Sequence, residues 1–221
     1  MATIDNLLAT LELPIGPDVL CQKLSDFLKK RDPYDFVADQ GAKKAREVWI
    51  ASRFLLAHAK EFRRCYEITK LTTEAPDIEY REKGTPHESL SIEAAELLSP
   101  GYKRAEEYRK NKLERELCEK SGRQYNPTAN VLPQEFLENE KNQFPSIASE
   151  VLKSKLMNDY GPNCTLVLYV NLWLFGDKPI HDFLAVYELP VRVPFREVWF
   201  LYKEALIPVK KRSETIISDG A

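Results

Sequence analysis

The stretch APDIEYREKGTPHESLSIEAAELLSPGYKRAEEYRK, Ala75 to Lys110, decides how the chain is read. Asp77 to Arg81 and Leu90 to Leu97 are strand-like, and the polar segment between them carries Gly84 and Pro86, so the pair reads as a hairpin. Side chains alternate across a strand, which places Asp77 and Glu79 on one face of the first segment and Ile78 and Tyr80 on the other. In the second segment Ile92 and Ala94 share one face, and Glu93 and Ala95 share the opposite one. A hairpin can therefore bring Asp77 beside Glu93. Two adjacent carboxylates repel and lose hydration unless a proton or cation resolves the conflict, and a hard divalent ion with oxygen ligands does so. Such an ion can activate water and stabilise charge developing on a phosphate.

Working outward, Lys43 to Arg64 carries Val48, Trp49, Phe54, Leu55, Leu56 and Ala59 at roughly helical spacing, which predicts a long helix with one face on a core. After the hairpin, Ser99, Pro100 and Gly101 break the strand, and the charged segment Lys103 to Lys120, free of Gly and Pro, predicts an exposed helix. Ser121 to Pro133 reads as a loop. Leu132 to Tyr160 reads as one or two helices interrupted near Pro145, with Ile147, Val151, Leu152 and Leu156 on an apolar face. Thr165 to Leu174 is apolar at nearly every position, as expected of a strand buried on both sides. A further strand is expected at Glu197 to Tyr202, and an N-terminal helix at Val19 to Leu28. The order predicts an α/β fold, a mixed central sheet flanked by helices. Residues 1–40 read as a helical extension, 41–209 as one domain and 210–221 as a polar tail.

Composition narrows the function classes. Lys and Arg total 32 against 34 Asp and Glu, a net charge of −2, so no global positive field advertises nucleic acid and a local patch would have to supply it. Basic residues recur at Arg46, Arg53, Lys60 and Arg64, and again at Lys103, Arg104, Arg109, Lys112 and Arg115. The second row is interleaved with Glu106, Glu107, Glu114, Glu116 and Glu119, a pattern that favours a salt-bridged solvent face over a DNA groove. Cys21, Cys65, Cys118 and Cys164 lie too far apart for a zinc or thioredoxin-like site and read as reduced, mostly buried thiols. His58, His87 and His181 match no metal-binding spacing, and no Walker, GxGxxG or GxSxG motif occurs. Trp49, Trp173 and Trp199 read as core packing. No signal peptide or membrane span is read, and the cytoplasm is the expected compartment.

Pro76-Asp77 at one hairpin strand and Glu93 within the next resemble the PD-(D/E)XK nuclease superfamily, with the sharper match running from about Ala75 to Arg109. A set of compact bacterial proteins with PD, then Glu-Val-Thr-Glu, then Gly and a basic helix start is closer still; Glu93-Ala94-Ala95-Glu96 and Gly101-Tyr102-Lys103-Arg104 stand in those places here. The resemblance implies a restriction-endonuclease-like core of helix, three strands, helix and strand, which asks for a short strand at about Tyr66 to Leu71. It implies Mg or Mn held by Asp77 and Glu93, with hydrolysis of phosphodiester bonds in DNA or RNA. It also implies a glutamate from the first long helix, with Glu47 the first choice and Glu61 the second. The family lysine, two residues after the Glu, falls on Ala95. Within the superfamily a neighbouring element can supply the basic residue, and Lys103 and Arg104 are the candidates.

Two further readings accompany this one. A catalytically inactive nuclease-fold protein could serve as a nucleic-acid-binding or protein-interaction module, and the carboxylates could be merely surface groups on an unrelated α/β fold in which the hairpin pairing fails. The last reading requires Asp77 and Glu93 to lie apart.

Overall fold

In the computed structural model, residues 4–30, 42–72, 74–85, 89–98, 104–125, 134–171, 188–189 and 193–211 are described. Two N-terminal helices, α1 (Ile4–Ala9) and α2 (Pro17–Lys29), precede the long helix α3 (Ala42–Phe62). Ala42, Ala45, Val48, Ala51 and Leu55 recur at steps of three and four, so one face of α3 is apolar and fully covered. Ile4, Leu20 and Leu24 join that face in a single core cluster.

Helix α3 leads into β1 (Tyr66–Leu71), β2 (Ile78–Glu82) and β3 (Leu90–Leu97). The charged helix α4 (Arg104–Lys120) follows, then α5 (Gln134–Leu156) and β4 (Cys164–Val170). The chain continues through a short β5 (Glu188–Leu189), β6 (Glu197–Tyr202), β7 (Ala205–Pro208) and β8 (Lys210–Lys211). The main sheet has the order β1-β2-β3-β4-β6-β7, and β5 pairs with β8 separately. Strand β2 runs antiparallel to β1 and β3, whereas β3, β4 and β6 are mutually parallel. This is a mixed α/β sheet flanked by helices.

Two apolar layers hold the sheet from either side. Ile92, Ala94, Val167, Trp199 and Leu201 pack with α3, while Ala95, Leu97, Leu166, Leu168, Val198 and Phe200 pack with Phe144, Ile147, Ala148 and Leu152 of α5. Strand β4 feeds both layers, which explains a sequence with no polar alternation. Phe54, Phe144 and Phe200 are among the largest fully buried side chains; each contributes roughly 2–3 kcal/mol by leaving water.

Most of the expected elements recur within a residue or two; the region expected to be helical to Tyr160 ends at Leu156, and three further differences stand out. Helix α5 runs through Pro145 without a break: Pro145 is exposed, and its neighbours Phe144, Ile147 and Ala148 are buried against the sheet. That packing offsets the hydrogen bond and steric fit a mid-helix proline gives up. Strand β4 ends at Val170, with Asn171 outside it, and the rest of the expected strand, Trp173 included, lies outside the described residues. Of the cysteines only Cys164 is fully buried; Cys65 is exposed, and all four are free thiols.

Candidate functional site

The site begins with strand register. Ile78 of β2 faces Ile92 of β3, so Asp77, one residue before β2, stands opposite Glu93. The Asp77 amide donates to the Ile92 carbonyl at 2.8 Å, and the Ala94 amide donates to Asp77 Oδ2 at 2.8 Å. Asp77 is thereby fixed on either side of Glu93, through its main chain to Ile92 and through its carboxylate to Ala94. Both acids are deeply covered, at 4 % exposure each. Buried carboxylates need partners, and here a lysine reaches each.

Lys44 of α3 donates to Asp77 Oδ1 at 2.7 Å, and Lys155 of α5 donates to Glu93 Oε1. The two helices cover opposite faces of the sheet, so the centre is clamped from both sides at the β2–β3 junction. The second oxygen of Glu93, Oε2, is buried with no hydrogen-bond partner among the described residues. A buried, unpaired carboxylate oxygen is unfavourable by itself and marks a position where a cation or donor would be welcome.

Electrostatics agree with this crowding. Burial and the Asp77 charge raise the Glu93 pKa, opposed by Lys155. Burial works against the Lys155 ammonium, but the Glu93 carboxylate outweighs it and its pKa rises. Glu47, one turn after Lys44 on α3, is raised to about 7 by burial and by the Asp77 charge, against the pull of Lys43 and Lys44. The Asp77 charge therefore acts on both Glu93 and Glu47, raising each above the usual carboxylate range.

The candidates chosen from the sequence fare differently. Asp77 and Glu93 stand opposite each other across the β2–β3 register, and Glu47 lies near enough to Asp77 to feel its charge. Glu61 is exposed about 21 Å further along α3 at 1.5 Å per residue, lining a surface hollow with Arg53 and Lys60. Ala95 points into the α5-side core and brings no charge. Lys103 lies outside the described residues; Arg104 opens α4, and its side chain lies outside them too, as do His87 and His181. His58 is far from the acids, with its Nδ1 in a 2.7 Å hydrogen bond to the Tyr66 hydroxyl. Within the basic rows several residues are engaged by acids: Arg46 with Glu96, Arg53 with Glu204, Arg64 with Glu82 and Arg115 with Glu119.

Lys44 and Lys155 were not singled out by sequence, although each carried a signal. Lys44 precedes Val48 by four residues and Ala51 by seven, and Lys155 follows Val151 by four and Leu152 by three. A lysine at those spacings lies on or beside the core-facing stripe of its helix, with its stem along the apolar surface.

Among the described residues, no group of three or more His, Cys, Asp and Glu side chains is gathered as a ready metal site. The donors are nonetheless hard oxygens, the type that magnesium and manganese take, and Glu93 Oε2 is uncommitted. Among the described residues, no helix is long and apolar enough to cross a membrane. Comparison with protein-family models, with curated proteins and with solved structures yields no match.

Proposed function

We propose that this protein is a divalent-cation-dependent phosphodiesterase acting on DNA or RNA, built on a divergent restriction-endonuclease-like core. The observation that carries this reading is the pair of buried carboxylates at a strand junction, one with an uncommitted oxygen, each met by a lysine from a flanking helix. The element order α3, β1, β2, β3, helix, β4 is the order the PD-(D/E)XK resemblance asks for, with one additional helix before β4. It also includes the short strand Tyr66–Leu71.

In this reading Asp77 and Glu93 hold Mg or Mn, and Glu47 backs them from α3. Magnesium there would activate water and withdraw charge from the scissile phosphate. Lys155 takes the place of the lysine missing at Ala95, reaching the Glu93 carboxylate from α5 instead of from β3. A lysine ammonium held in a covered site is suited to balance charge on a phosphate as it develops. Lys44 does the same from the opposite face.

One observation favours a second reading, a non-catalytic nucleic-acid-binding or protein-interaction module. The two lysines already neutralise the two acids, and no three-carboxylate cluster is gathered among the described residues. The experiment that separates the readings is cleavage of single- and double-stranded DNA and RNA with Mg²⁺ or Mn²⁺ by wild type and Asp77→Asn. Metal-dependent cleavage lost in the variant supports the nuclease. Association with nucleic acid that survives the substitution, without cleavage by either protein, supports the binding module.

A further inference from the structure

The charge balance of the centre carries a consequence for what it binds, and the consequence rests on the phosphodiesterase reading above. Lys44 and Asp77 form one ion pair and Lys155 and Glu93 another, so these four groups sum to zero. All four are largely covered: side-chain exposures are 21 % and 6 % for the first pair, and 20 % and 5 % for the second. A divalent cation added to a balanced, covered centre leaves it two charges in surplus, or one when Glu47 is ionised. A surplus of that kind is poorly tolerated away from water. An anion arriving alone meets the opposite difficulty, because both ammonium groups are already held by carboxylates.

Arriving together, the two ligands solve each other's problem. The carboxylates would hold the cation, with the uncommitted Oε2 of Glu93 offered to it, and the ammonium groups of Lys44 and Lys155, no longer held by them, would be free to meet the phosphate. We propose that Lys44 and Lys155 are resident counter-ions that make cation and phosphodiester binding mutually dependent, each ligand binding weakly alone and tightly in the presence of the other. The lysines are positioning residues for this coupling, exchanging one anionic partner for another. Because coupling between two ligands is reciprocal, the factor by which phosphodiester tightens the cation equals the factor by which the cation tightens phosphodiester.

The test uses the full chain, Mn²⁺ followed by electron paramagnetic resonance, and a short phosphorothioate oligothymidylate that resists cleavage. Mn²⁺ affinity is expected to rise about tenfold or more when the oligonucleotide is present, with an equal rise in oligonucleotide affinity on adding Mn²⁺. In K44M and K155M, Mn²⁺ alone is expected to bind about tenfold tighter than to wild type, and the mutual enhancement to shrink. The wild-type measurements stand even if either variant folds poorly. Equal Mn²⁺ affinity with and without oligonucleotide overturns the coupling and leaves the nuclease reading intact. No Mn²⁺ binding under either condition overturns both.

Discussion

The backbone amide of Ala94 holds Asp77 Oδ2 at 2.8 Å, so the acid at the mouth of β2 is anchored to the residue that directly follows Glu93. One hydrogen bond thereby fixes the spacing of two side chains that would otherwise be driven apart by like charge.

Asp77→Asn keeps a carbonyl oxygen that can accept from Ala94, and so should keep the fold while losing the charge. Cleavage is expected to fall on the order of a hundredfold, with a comparable loss of Mn²⁺ affinity. Circular dichroism checks the fold. Full cleavage by this variant would remove Asp77 from the chemistry.

Lys155→Met leaves Glu93 without the ion pair it makes at 5 % side-chain exposure. The cost should be about 3 kcal/mol, because a buried charge loses its partner. In Glu93→Gln with Lys155→Met the charge is gone as well, and more than half of that stability should return. Urea unfolding of both variants measures this, and a double variant no more stable than the single one would contradict a direct pairing. Neither variant should retain cleavage.

Glu47 sets a pH dependence whose sign follows from its raised pKa. Folded, it titrates near 7; unfolded, near the ordinary 4.5. Between those values the folded chain keeps a proton that the unfolded chain has lost. Stability therefore falls as pH rises through this window. Glu47→Gln removes the contribution. The variant should match wild type near pH 4.5 and exceed it at pH 8, measured by denaturant midpoints; parallel curves would show that Glu47 titrates normally.

The Tyr66 hydroxyl and His58 offer a control far from the acids. Tyr66→Phe removes a 2.7 Å hydrogen bond and should cost about 1 kcal/mol, with cleavage and Mn²⁺ affinity unchanged. His58 itself is lowered chiefly by burial, with Arg64 adding to the effect against Glu197 and Glu82. Its contribution to stability is present above about 6.5 and lost as pH falls through the depressed value. A change in cleavage on Tyr66→Phe would mean that the two regions communicate.

How much of this was legible in the sequence depends on the distance each signal travels. Period-two alternation is local, so the pairing of Asp77 with Glu93 could be read from twenty residues of hairpin. The buried faces of α3 and β4 were likewise readable from spacing and apolar runs. Lys155 stands 62 residues beyond Glu93, and nothing local states which strand its helix will cover. The family lysine position pointed to the next helix start, Lys103 and Arg104, because that was the nearest basic segment. The helix that reaches the acid is α5, which the core residues Phe144, Ile147 and Leu152 seat on the sheet. Pro145 misled for a related reason: a local helix breaker was outweighed by contacts that only the tertiary fold supplies.

The placement of Lys155 also orders events during synthesis. The hairpin with both acids leaves the ribosome well before α5, so the nascent chain carries two carboxylates without the ammonium that completes the centre. Ribosome-bound chains ending before residue 155 hold at most the Lys44 half of it. The centre is therefore completed only once α5 has been made and has docked on the sheet.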